Sequence, residues 1–287
     1  IVEPTESFMW RQFTIGQSKT ERKSVSVWLM KYMNWGHPNI WRNILKKIII
    51  CEGDSWTSGD MINPNINTTY VNHSDNDSYR LPKVWPHKLG KMLDIDILNF
   101  SAAGSSNDSI IRRLVPNVFD LLKKYKGEEM FVIVGWSSPE RKDFFTEDNW
   151  ETLYPAHNHR QGVESVNKLW DVYVEHFWNE EEYISRYIHT NLYIHYFLKS
   201  HNIEHMFFDA FYETSEFGIN HDLEIRSIID DKEYLKITNE FTKNTSFKNF
   251  LLRQNEQDLF NDDDPHPSEK GHQLWAEELS KDLQWIK

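Results

Sequence analysis

An α/β fold, a three-layer α/β/α sandwich around a central parallel sheet of about five strands, follows from three features of the sequence. Short apolar runs recur along the chain, segments of helical period separate them, and the two alternate from residue 44 to the C-terminal end. The chain's 287 residues, 39% of them apolar, suffice for one large domain with a buried core.

The strands are predicted from residue type. ILKKIII (44–50) and MFVIVGW (130–136) are continuous apolar runs of the kind a strand covered on both faces requires. HMFFDAF (205–211) repeats that character, and DIDILNF (94–100) alternates less cleanly. Between them, SIIRRLVPNVFDLLKKY (109–125) has helical period and follows Asn107-Asp108, which reads as its N-cap, while Pro116 predicts a kink or a break into two helices. Residues 167–201 carry apolar and aromatic residues at helical spacing for many turns. An amphipathic helix capped by Ser268 closes the chain. Two segments interrupt the alternation, and both read as loops over the carboxyl edge of the sheet: residues 63–77, rich in Asn, Thr, Ser and Asp, and residues 143–162.

Residues 1–43 hold Trp10, Trp28, Trp35 and Trp41 without strand-helix alternation. They read as an N-terminal extension to a domain spanning 44–287, packing on that domain or on a partner such as a second copy in a homo-oligomer. The net charge of −12 opposes a broad surface for nucleic acid or anionic lipid. Cys51 is the single cysteine, so no internal disulfide forms, and its place in a strand predicts apolar packing. No apolar run approaches the roughly 20 residues that span a bilayer, so the chain reads as soluble. It begins at Ile1, which is compatible with trimming.

The chemistry begins at IIICEGDSWTSGD (48–60), where a buried strand runs into Gly53-Asp54-Ser55. A serine hydroxyl becomes a nucleophile when a base takes its proton, a third group orients the base, and donors await the oxyanion. Near the C-terminal end, Asp263 stands three residues before His266, a spacing that lets the carboxylate reach Nδ1 and leaves Nε2 for the serine. Between these ends, ILNFSAAGSSNDSI places Gly104 in a small-residue turn where the backbone N–H can approach a substrate closely. The Asn107 side chain could add a donor or cap the next helix.

Gly-Asp-Ser after the first core strand, Asn-x-Ser-x-x-Gly after the second and Asp-x-x-His-Pro before a last helix together resemble the SGNH, or GDSL-like, hydrolase family, in the family's order from Ile44 to Leu283. The resemblance implies a flavodoxin-like strand order and hydrolysis of acyl esters without a cofactor. By it, Ser55 is the nucleophile, His266 the base and Asp263 its orienter, and the Ser55 and Gly104 N–H groups form part of the oxyanion hole. The family's third block, Gly-x-Asn-Asp, here reads Gly135-Trp136-Ser137-Ser138, so the donor amide is missing. Either Ser137 or Asn107 replaces it, or the enzyme is slow, or the site no longer turns over. GWSSPER (135–141) and the aromatic helix after it are similar to SGNH-type proteins of tailed bacterial viruses. That implies an esterase removing a short acyl group from a carbohydrate, or a structural or carbohydrate-binding virion protein that kept the fold. Its setting would be the virion or the host cytoplasm.

The remaining polar residues have plainer readings. Asp54 fixes the turn, Asp262 and Asp264 form an acidic surface run or partner a helix dipole, and Arg141 makes an ordinary ion pair in preference to contacting a charged substrate. His157 and His159 lack a third ligand at a defined spacing, which argues against a metal. His189, His195 and His201 lie along the flank of a helix, and no phosphate-binding glycine loop is present.

Overall fold

The computed structural model describes residues 46, 48–63, 73–146, 149–155, 164–212, 242–243, 245–262 and 264–286. The four N-terminal tryptophans, His157, His159 and Asp263 lie outside them. In chain order the elements are β1 (Ile48–Glu52), α1 (Ser55–Ser58), α2 (His73–Arg80), α3 (Trp85–Leu93), β2 (Asp96–Asn99), α4 (Asn107–Leu121), β3 (Met130–Trp136), β4 (Lys142–Thr146), β5 (Asn149–Leu153), α5 (Glu164–His176), α6 (Glu180–Ser200), β6 (Glu204–Asp209), α7 (Phe247–Arg253), β7 (Phe260–Asn261), β8 (Asp264–Pro267) and α8 (Glu269–Asp282).

The central sheet is parallel with order β2-β1-β3-β6, the doubly wound order expected. Among the described residues it has four strands rather than about five, with a single parallel bridge from Phe207 to Thr242 beyond β6. Every residue of β1 and β3 is buried, as apolar strands between two helical layers must be. The two-residue period sorts their side chains. Ile49, Cys51, Phe131 and Ile133 pack with Trp85 and Leu89 of α3, Phe247 of α7 and Trp275 of α8. Ile48, Ile50, Val132 and Val134 pack with Ile110 and Leu114 of α4 and Ile194 and Leu198 of α6. The result is a three-layer sandwich with an apolar core on each side of the sheet. Cys51 is fully buried, and burial pushes its thiol well above the usual range.

Several local readings change. Ser106, not Asn107-Asp108, caps α4 by accepting from the Ser109 N–H at 3.1 Å. Pro116 lies inside α4 without dividing it; its ring is exposed, so water can satisfy the carbonyl it leaves without a partner. Residues 167–201 form two helices, because Asn179 caps a new one through the Glu182 N–H at 2.8 Å. Helix α2 begins within the expected 63–77 loop. The 143–162 loop contains most of an antiparallel β4–β5 hairpin, and the residues between these elements lie outside the described set. Ser268 caps α8 as predicted, accepting from the Gly271 N–H at 3.2 Å.

Candidate active site at the carboxyl edge of the sheet

β1 ends in Glu52, and the chain turns at once into α1. Only glycine fits at Gly53: an added Cβ would stand 2.3 Å from Thr57 Oγ1 and 3.0 Å from the Gly135 carbonyl. The turn is held from two sides. Glu52 Oε1 accepts from the Gly53 N–H at 3.0 Å and from Arg113 Nη2 at 2.7 Å, and Arg113 also donates to the Gly53 carbonyl at 3.2 Å. Burial pushes the Glu52 carboxyl up to about 7 despite the guanidinium.

Asp54 caps α1 through the Trp56 N–H at 3.0 Å, in keeping with the turn-fixing role read from sequence. Its other oxygen accepts from Ser137 Oγ at 2.9 Å and faces Arg141 Nη1 at 3.7 Å. Burial raises its pKa against the pull of Arg141, the Trp56 N–H, Ser137 and His266. Ser55, first residue of α1, is 5% exposed. Its hydroxyl makes no hydrogen bond with a described residue.

The strand-end hydrogen bonds carry the second block alongside. Phe100 N–H donates to the Cys51 carbonyl at 2.9 Å and Ala102 N–H to the Gly53 carbonyl at 3.2 Å, so the turn holding Gly104 runs beside Gly53-Asp54-Ser55. Gly104 has φ +69, in the left-handed region, and an added Cβ there would meet open space. Conformation, not crowding, therefore asks for glycine. The N–H groups of Ser55 and Gly104 donate to no described residue.

The two candidate replacements for the missing amide are both engaged. Asn107 Oδ1 accepts from the Ser137 N–H at 2.8 Å and its Nδ2 donates to the Ser137 carbonyl at 3.2 Å. The Ser137 hydroxyl is given to Asp54. These contacts lock the loop after β3 onto α1 and α4.

The Asp-x-x-His-Pro segment arrives on β8, which packs on α1. His266 lies beside Trp56, ring centroids 6.5 Å apart. The carboxylate on its Nδ1 belongs to Asp264, which also accepts from the His266 backbone N–H at 2.8 Å. The acidic run thus supplies a partner that the Asp-x-x-His spacing passed over; the signal was the x-Asp-Pro-His stretch itself, where a carboxylate two residues back can accept from both N–H groups of the histidine. Nε2 has no bond to a described residue.

Around these groups stand Phe211, 5.1 Å from Trp56 between centroids, and Arg141, whose guanidinium lies 4.6 Å over the Tyr154 ring and 5.5 Å over Phe211. Arg141 also donates to the Ser105 carbonyl at 3.1 Å. It is more than the plain ion pair expected, since it joins Asp54, Ser105 and two rings.

The chain's residues 69–286 match the model of a family of unknown function, DUF6071. No curated protein is significantly similar in sequence. Among solved structures, the chain is similar to a protein described as belonging to the lipolytic G-D-S-L family, from Desulfitobacterium hafniense, at 17% identity over 82% of this chain and 99% of that one, TM-score 0.45. A psychrotrophic esterase from Pseudoalteromonas sp. matches at 14% identity over 83% and 97%, TM-score 0.43. A family two carbohydrate esterase from Cellvibrio japonicus matches at 13% identity over 85% and 62%, TM-score 0.45.

Proposed function

The chain belongs to the DUF6071 family of unknown function, and we propose that it is a serine ester hydrolase. The observation that carries this reading is the bond from His266 Nδ1 to the Asp264 carboxylate on a strand packed against α1, the helix that begins with Ser55. That bond selects the tautomer with a free Nε2, the form a general base requires.

In the proposed reaction Ser55 Oγ attacks the acyl carbon while its proton passes to His266 Nε2, and the carbonyl electron pair moves onto oxygen. The N–H groups of Ser55 and Gly104 receive that oxyanion. Its collapse restores the carbonyl and expels the alcohol, which takes the proton from His266. Water then repeats the sequence on the acyl-enzyme and releases the acid. Asp264 holds His266 and stabilises the imidazolium. The Ser55–His266 bond is open in this structure. Such bonds are commonly long without substrate and tighten in the complex.

The small-residue turn at Gly104 and the half-buried rings of Phe211 and Tyr154 favour a short acyl group on a carbohydrate, since flat rings suit the apolar faces of sugars. The test is hydrolysis of 4-nitrophenyl acetate, 4-nitrophenyl palmitate and an acetylated polysaccharide by wild type and Ser55→Ala. The reading expects turnover of the acetyl esters, little of the palmitate, and loss of at least about a thousandfold in the variant. Equal background rates for both proteins would refute it.

A further inference from the structure

We infer that Arg141 is the third donor to the oxyanion, in place of the amide missing from the third block; this rests on the ester-hydrolase reading. An oxyanion must sit about 3 Å from each of its donors, here the Ser55 and Gly104 N–H groups. Arg141 Nη1 is 3.7 Å from the Asp54 carboxylate and 3.1 Å from the Ser105 carbonyl. It therefore touches the chain neighbour of each backbone donor and stands between the two turns that carry them.

The sequence candidates are engaged elsewhere: Ser137 Oγ on Asp54, the Asn107 amide on both backbone groups of Ser137. Arg141 has donors to spare, because the Ser105 carbonyl and the Tyr154 hydroxyl take two of its five N–H protons and its buried Nε has no hydrogen-bond partner among the described residues. Its side chain is 12% exposed and lies against Tyr154, Phe211 and Asp54. A donor held in place before reaction contributes most, since it need not reorganise as charge develops. A guanidinium held over rings and against a carboxylate meets that condition, whereas the serine hydroxyl at the position of the family's amide is already committed to Asp54.

The experiment measures kcat and KM for 4-nitrophenyl acetate in wild type, Ser55→Ala, Arg141→Lys and Arg141→Ala, with thermal melting of each and with guanidinium chloride added back to the alanine variant at non-denaturing millimolar concentration. A donor used in the transition state predicts kcat down about a hundredfold in Arg141→Ala with KM nearly unchanged. It predicts partial recovery with guanidinium and none with the same concentration of sodium chloride. Arg141→Lys, which keeps a positive charge facing Asp54 and so protects folding, should still lose about tenfold because an ammonium does not reproduce the planar fork.

Wild-type kcat in a folded Arg141→Lys or Arg141→Ala protein would overturn the assignment, as would a loss confined to KM or one that guanidinium does not repair. A wild type no faster than Ser55→Ala would instead remove the ester-hydrolase reading, and the role of Arg141 with it.

Discussion

Asp264 grips His266 at two points, the backbone N–H and Nδ1, and so fixes both the loop and the ring. The grip predicts an asymmetry between neighbours. Asp264→Asn should cut ester hydrolysis by about a thousandfold or more, because the amide favours the wrong tautomer, whereas Asp263→Asn should change it by less than about threefold. The pair of variants, assayed on 4-nitrophenyl acetate, reverses the assignment if Asp263→Asn is the inactive one. Ser55 and His266 stand out in the sequence because each lies in a short motif bounded by an element end. The carboxylate partner is harder to pick out, since three consecutive aspartates precede the histidine and spacing alone does not choose among them.

One carboxylate ties both β4 and β5 to α4. Asp143, on β4, accepts from Ser106 Oγ at 2.5 Å, Ser109 Oγ at 2.6 Å and Arg112 Nη2 at 2.5 Å on the α4 side, and from Thr152 Oγ1 at 2.7 Å on β5. Burial would push this carboxyl up, but the four donors outweigh it and hold it below the usual range. Removing it leaves several buried donors and a guanidinium without their acceptor, so Asp143→Ala should cost roughly 3 kcal/mol. Amide exchange should rise in residues 142–153 more than in β1 and β3. Uniform acceleration across the sheet would contradict the staple. The hairpin was invisible to periodicity because Lys142–Thr146 and Asn149–Leu153 mix charged and aromatic residues, and this polar network joins a small apolar cluster of Phe144 and Leu153 with α5 in holding them. The core strands were legible for the opposite reason: β1 and β3 are buried on both sides and so must be apolar throughout. The break between α5 and α6 fell in a run whose helical spacing continues across it, with Asn179 the only local mark.

The whole molecule carries buried titrating groups of opposite effect. His205 and His272 are pushed down to about 3 by burial. Unfolded, each imidazole binds a proton near pH 6.5. Below that pH the unfolded chain holds protons the folded one refuses, so their contribution to stability is lost as pH falls from 6.5 toward 3. Glu52 works the other way. With its pKa raised from 4.5 to about 7, the folded form keeps a proton that the unfolded form has released, and its contribution is lost as pH rises through that window. Melting temperatures should show both: His272→Gln flattens the decline between pH 6.5 and 4.5, and Glu52→Gln gains on wild type by on the order of 5 °C more at pH 8 than at pH 5. A Glu52→Gln gain confined to pH 5 would contradict the buried, proton-holding carboxyl. The three-layer order was readable at this scale because alternation of strand and helix dictates it. The polar ties that close the site, Glu52 to Arg113 and Asp54 to Ser137, join residues 61 and 83 positions apart and leave no local pattern.

The central claim is that His266 and Asp264 activate Ser55. Its most direct test is labelling with a fluorophosphonate, read by intact mass and peptide mapping on wild type, Ser55→Ala and His266→Ala. The account predicts one label per chain, on Ser55, absent from Ser55→Ala and nearly absent from His266→Ala. A folded wild type that takes no label, or takes it on another serine, would contradict it.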